Sequence, residues 1–282
     1  MNKSEKEIEV VKNIYENPVN KKQELFPGHK LIPSEITNKV LKCICKIIIK
    51  NKDEKQYGTG FFMDLNNSKK YLFTDYNVIS DKIKNENIEI EIYNHKTMNL
   101  KFENRYIKYF QQPIDIAIIE IEKNDEIYED IELLDYDRNY IKNGYEFYKN
   151  ADVFSIEYPY GKEAVDASGK IENIEVYEFE HTIPTDNGSS GSPIILLNKN
   201  INLVKVIGIH KETDYLKQVN KGTFIGEIFK DSDYNDNFNI DIKKLNKSEN
   251  NKIYNKQKKE ENMNKENNND ILNNEIICIY NK

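Results

Sequence analysis

From Val40 to Tyr280 the apolar residues fall into short β-branched and aromatic runs, separated by clusters of Asn, Asp, Gly and Lys. Runs of that length and spacing read as the strands of an all-β barrel or sandwich. Ten segments predict strands: 41–49, 57–65, 70–78, 88–93, 115–121, 151–158, 170–179, 191–198, 203–210 and 222–228. Before them, Ser4 and Glu7 form a capping-box signature, and Ile8, Val11, Ile14 and Tyr15 follow at helical spacing, which predicts a short amphipathic helix over 4–16. After about Lys230 the chain turns polar, and 247–269 is almost wholly Asn, Lys, Glu and Ser. Such a stretch buries too little apolar surface to offset its ordering entropy, so it reads as a flexible linker. A last apolar run, Ile276 to Tyr280, predicts a terminal strand.

With 282 residues the chain can build one sizeable domain with extensions, or two small barrels packed together. A net charge of -7 argues against binding nucleic acid by phosphate neutralisation. Three cysteines are too few for a disulfide framework, and Cys43 and Cys45 share one face of a predicted strand without pairing geometry. Reduced thiols, a charged amino terminus without a secretory apolar stretch, and no run of eighteen apolar residues together predict a cytoplasmic protein that does not span a membrane. The abundance of Asn, Lys, Ile and Tyr reads as compositional bias without functional content.

Chemistry concentrates in Thr185-Asp186-Asn187-Gly188-Ser189-Ser190-Gly191-Ser192-Pro193-Ile194. Glycines there let the backbone turn sharply and aim two amides at one developing oxyanion, which suits a nucleophile loop. Ser190 would be the nucleophile, and the amides of Gly188 and Ser190 the oxyanion hole. Taken by itself, the segment also fits an ordinary Gly/Ser turn.

Three further segments occur in a telling order: Tyr57-Gly58-Thr59-Gly60-Phe61-Phe62, then Leu72-Phe73-Thr74-Asp75-Tyr76-Asn77-Val78-Ile79, then Asp115-Ile116-Ala117-Ile118-Ile119. With the serine loop they resemble the trypsin-like serine endopeptidases, over roughly Val40 to Phe229. The resemblance implies two antiparallel six-stranded β-barrels of the chymotrypsin type, with an orienting carboxylate at Asp115 and the nucleophile at Ser190. Where the family carries its histidine base, this sequence has Asn77. An amide does not titrate near neutral pH, so Asn77 cannot take and return the serine proton. Very low or absent peptidase activity is expected.

His29, His95 and His181 lie outside any segment resembling the base. His210, in Val206-Ile207-Gly208-Ile209-His210-Lys211, resembles the pocket histidine of glutamyl endopeptidases and picornaviral processing proteases, with Thr185 as its companion. That resemblance implies a Glu or Gln preference; a structural histidine at a strand end is the other reading. Thr223 and Phe224 resemble the strand that closes the second barrel. No metal-ligand spacing and no phosphate-cradling glycine loop occurs, so no metal or other cofactor is expected. The expected organisation is a helical extension over 1–39, a two-barrel peptidase domain over 40–230, and a polar tail over 231–282. The expected partner is a peptide or protein substrate, with no nucleic acid and no membrane. Two functions share this fold: a serine endopeptidase homologue impaired by Asn77, or a pseudoprotease that binds peptides or proteins in its cleft.

Overall fold

The computed structural model of the chain describes residues 30–50, 54–65, 68–83, 87–197 and 204–230. The helix expected over 4–16, the polar tail and the strand at 276–280 lie outside these residues. Among them, a helix at Ser34–Leu41 (α1) buries Ile36 and Val40 and leads into the first strand. Seven strands follow: Ile44–Lys50 (β1), Lys55–Met63 (β2), Lys70–Asp75 (β3), Asn87–Ile92 (β4), Thr97–Asn99 (β5), Ile107–Phe110 (β6) and Ile116–Ile121 (β7). They form one antiparallel sheet in the order β5-β4-β1-β2-β3-β7-β6, open between β5 and β6 among the described residues.

The second sheet holds Asp135–Tyr136 (β8), Asp152–Glu157 (β9), Val165–Ile174 (β10), Glu178–His181 (β11), Pro193–Leu196 (β12), Lys205–Asp214 (β13) and Val219–Phe224 (β14). Its order is β12-β9-β10-β11-β14-β13-β8, and a further β12–β13 pairing closes six of these strands into a barrel, with β8 added in parallel to β13. The mostly antiparallel, chymotrypsin-like architecture is therefore as expected, with the second sheet a closed six-strand barrel and the first a seven-strand sheet that stays open among the described residues. The differences are local. The run at 222–228 leaves the sheet after Phe224 and continues as a 3-10 turn, Ile225–Lys230. The run at 170–179 is divided between β10 and β11.

Near-continuous apolar strands arise because each inner strand serves two cores with a period of two. In β2, Phe61 and Met63 face the core between the sheets while Phe62 faces the interior of the first sheet. In β3, Tyr71 and Phe73 alternate with Leu72 in the same way, and in β7 Ile116 and Ile118 alternate with Ala117 and Ile119. Phe61 and Phe73 stack at 5.5 Å between centroids, and burying each such ring contributes about 1.5–3 kcal/mol. The outer strand β4 instead alternates buried Ile88, Ile90 and Ile92 with Glu89 and Glu91. Those glutamates pair with Lys50 at 2.8 Å and Lys46 at 3.2 Å on β1. The shared core fixes the two sheets against each other, and the ends of β2 and β3 and the loop before β12 meet at its edge.

Candidate active site

The loop before β12 is held in place by threonines of the first sheet. Thr59 donates its amide to the Ser190 carbonyl at 2.9 Å and its hydroxyl to the Gly188 carbonyl at 2.8 Å. The same hydroxyl accepts the Tyr158 amide at 3.0 Å, and the Thr59 carbonyl accepts the Thr74 hydroxyl at 2.8 Å. On the other side, Gly191 N–H donates to the His210 carbonyl and His210 N–H to the Ser192 carbonyl, both at 2.9 Å. Gly188 and Gly191 have φ of +97° and +89°, the left-handed region that side chains disfavour. At Gly191 a Cβ would stand 2.2 Å from both the Thr59 carbonyl and the Thr74 hydroxyl, so the approach of loop to sheet itself requires glycine. Behind the loop lies Glu157, 2% exposed, 3.5 Å from the Ser192 hydroxyl. Burial raises its carboxyl to about 7.

Ser190, Gly188, Asn77, Thr185 and His210 line one cleft of about 970 Å³, with Tyr57 from the first sheet and Tyr160 and Tyr215 from the second at its walls. The Ser190 hydroxyl donates to the Lys211 carbonyl at 3.3 Å. Asn77, in the turn after β3, is exposed, and its backbone N–H donates to Asp75 Oδ1 at 2.6 Å.

Asp115 is 1% exposed, at φ +59°, immediately before β7. Neither carboxylate oxygen has a hydrogen-bond partner among the described residues. Asn77 therefore does not occupy the acceptor sites that a triad imidazole would take. The cation beside Asp115 is Lys211, whose ammonium lies 3.6 Å from Oδ2, donates to the Pro113 carbonyl at 3.0 Å and stands 3.6 Å from Glu178. Asp75, fully buried, is raised to about 8, first by burial and then by the charge of Asp115.

His210 lies at the cleft floor, with Nδ1 3.2 Å from Nε2 of His181. Burial lowers His210 to about 4; burial, then His210, pushes His181 well below its ordinary value. The pair is neutral at neutral pH. The Thr185 hydroxyl, beside it in the cleft lining, has no partner among the described residues. His95 sits in the β4–β5 turn, bonded to Glu91 at 3.0 Å, and lines a different cavity with Lys46 and Tyr158. His29 lies outside the described residues.

Sequence reasoning missed four residues of this arrangement: Thr59, Glu157, Lys211 and His181 in its role behind His210. The signal for Thr59 was present, since it is the one hydroxyl between the glycines of Gly58-Thr59-Gly60. For Glu157 and Lys211 the only hint was a charge inside an apolar strand pattern.

A serine-bearing loop wedged by glycine against a second β-sheet, with a cleft along the seam, defines a chymotrypsin-type peptidase domain. The trypsin-like peptidase domain family matches residues 58–209, more than half of the chain, and the chain belongs to this family. Among solved structures it is similar to a serine endoprotease from Yersinia pestis, at 13% identity and a TM-score of 0.52, over 71% of this chain and 66% of that one. It is similar also to a protease from M. tuberculosis in its active form, at 16% identity and a TM-score of 0.50, over 75% of this chain and 91% of that one. At these identities the likeness is one of fold, and the chain spans just under two thirds of the Yersinia protein. No curated protein sequence matches it. No helix among the described residues is long and apolar enough to cross a membrane.

Proposed function

We propose that this chain is a trypsin-like serine endopeptidase homologue that binds peptides in the Ser190 cleft and hydrolyses them very slowly or not at all, because Asn77 stands where the general base belongs. The observation that carries this reading is the environment of the Ser190 hydroxyl. Its partner is a backbone carbonyl, and no imidazole, carboxylate or amine is bonded to it among the described residues. Nothing there can accept the proton as the oxygen attacks a carbonyl. In an unrelated triad enzyme, loss of the histidine costs about a millionfold in turnover and leaves about a thousandfold over water. The Gly188 and Ser190 amides would still offer an oxyanion hole.

The pocket reading follows from the histidine pair. The His210 ring faces His181 through Nδ1 and is bonded to the Lys221 backbone, so the Thr185 hydroxyl beside it is the group free to bond a side-chain carbonyl, and neither residue supplies a countercharge. Burying a carboxylate there without one is costly, so glutamine is favoured over glutamate before the scissile bond. The pseudoprotease reading draws support from the ion pair of Asp115 with Lys211, which makes a buried acid tolerable without an imidazole.

The test is cleavage of Gln-, Glu- and Arg-containing peptides by the unmodified chain, by Asn77→His, and by Asn77→His with Ser190→Ala. The expected result is Ser190-dependent cleavage by Asn77→His alone, with Gln preferred at pH 7. Ser190-dependent turnover by the unmodified chain at the rate of Asn77→His would refute the account of Asn77, and a preference for Arg would refute the pocket.

A further inference from the structure

Lys211 touches both remaining members of the proposed triad. Its backbone carbonyl accepts the Ser190 hydroxyl at 3.3 Å, and its ammonium, from β13 of the second sheet, reaches Asp115 of the first at 3.6 Å. The side chain is 7% exposed and that of Asp115 is 0% exposed, so this is a buried ion pair across the seam, not a surface contact. Three further charged or titratable groups adjoin it: Asp75 beside Asp115, Glu178 at 3.6 Å from the ammonium, and Lys221, which pairs with Glu178 at 3.3 Å. With one donor on the Pro113 carbonyl and two carboxylates at 3.6 Å, the ammonium is placed as a countercharge, not as a proton acceptor for Ser190.

We propose that Lys211 is a positioning residue that stands in for the absent imidazole, compensating Asp115 so that restoring histidine at position 77 does not by itself restore a fully basic triad. The proposal rests on the triad reading given above. An orienting aspartate works by leaving its negative charge for the imidazolium that forms during proton transfer. With an ammonium already 3.6 Å from that carboxylate, the charge is spent, and an imidazolium introduced nearby meets a like charge. Like charges disfavour the protonated form. A lysine a few ångströms further off than its carboxylate partner lowers such an imidazole by about one pKa unit, equivalent to about a tenfold loss of basicity.

The test compares Asn77→His with Asn77→His/Lys211→Met. Imidazole titration by NMR and the pH profile of Ser190 labelling by a fluorophosphonate are the two readouts. The double variant is expected to titrate about one unit higher and to be labelled about threefold faster at pH 7. Ser190-dependent labelling of both variants with identical titrations and rates would overturn the role of Lys211 while leaving the triad reading intact. If neither variant is labelled faster than the unmodified chain, the triad reading falls and the proposal with it. Because Lys211→Met removes the partner of a buried acid, a second experiment measures thermal stability in the unmodified background. Lys211→Met is expected to lower the melting temperature, and adding Asp115→Asn to recover most of the loss. Strictly additive losses would remove the ion pair as the link and refute the proposal.

Discussion

Replacing Asp75 by asparagine should flatten the alkaline side of the stability profile. The carboxyl is fully buried, and burial, followed by the Asp115 charge, raises it to about 8 from an ordinary value of about 3.9. Folded protein therefore keeps a proton that the unfolded chain releases, and the stabilisation is complete below pH 4 and lost as pH rises through 8. Glu157, raised to about 7, acts in the same direction. The two histidines oppose them. His210, lowered to about 4, and His181, lower still than its ordinary value, stay neutral in the fold, so their contribution is present above about 6.5 and lost as pH falls toward 4. Between about pH 4.5 and 6.5 two gains and two losses nearly cancel. Above 6.5 the carboxyls act alone, and with 1.36 kcal/mol per unit Asp75 accounts for a fall of about 2 kcal/mol by pH 8. Asparagine keeps the Oδ1 that accepts the Asn77 backbone N–H at 2.6 Å, so the substitution removes the titration and not the bond. Urea unfolding midpoints at pH 5.5, 6.5, 7.5 and 8 measure it. An undiminished fall in Asp75→Asn, or a stability of the unmodified chain that rises from pH 6.5 to 8, refutes the reasoning.

Two further predictions concern the loop. Thr59→Val leaves the Gly188 carbonyl and the Tyr158 amide without their buried partner and should cost about 2–4 kcal/mol, whereas Thr59→Ser keeps the hydroxyl and should cost about 1 kcal/mol; equal unfolding midpoints would show that the two bonds do not hold the loop. Gly191→Ala, at φ +89° with a Cβ 2.2 Å from backbone, should cost more than about 3 kcal/mol, while Gly144→Ala, at φ +71° with nothing within 4 Å, should cost about 1 kcal/mol, and denaturant titration of the pair separates crowding from conformational strain.

The parts of the fold legible in the sequence were those written in local pattern. Short β-branched and aromatic runs at 57–65, 70–78 and 115–121 marked strands that the structure pairs in antiparallel register, near-continuously apolar because alternate residues fill two cores. The short strands β5, β6 and β8 were not legible. Thr97–Asn99 and Asp135–Tyr136 have too few residues to show a period, and Ile107–Phe110, with all four residues half-buried, shows no alternation of burial. Helix α1 was missed because Ser34–Leu41 carries only two buried residues and no capping bond from its N-cap Pro33. At the site, Ser190, Asn77, Thr185 and His210 were named from short motifs and all line one cleft. Lys211 and Glu157 were invisible because what makes them matter is their distance from Asp115 and Ser192, residues remote in sequence.

The contacts that shape the loop are independent of the residue at position 77. Thr59, Thr74 and the His210 backbone hold the loop, Gly188 and Gly191 permit its turns, and His210, backed by His181, lines the cleft. None of these reaches Asn77, which is exposed and tied to Asp75. The loop and the cleft therefore keep their shape without any contact from position 77. Asp115 is buried, and a carboxylate without a partner in the interior is among the costlier defects a fold can carry. The ammonium at 3.6 Å answers that penalty. On the proposed triad, the ion pair that makes Asp115 tolerable beside Asn77 is also the one expected to lower the basicity of a histidine placed there.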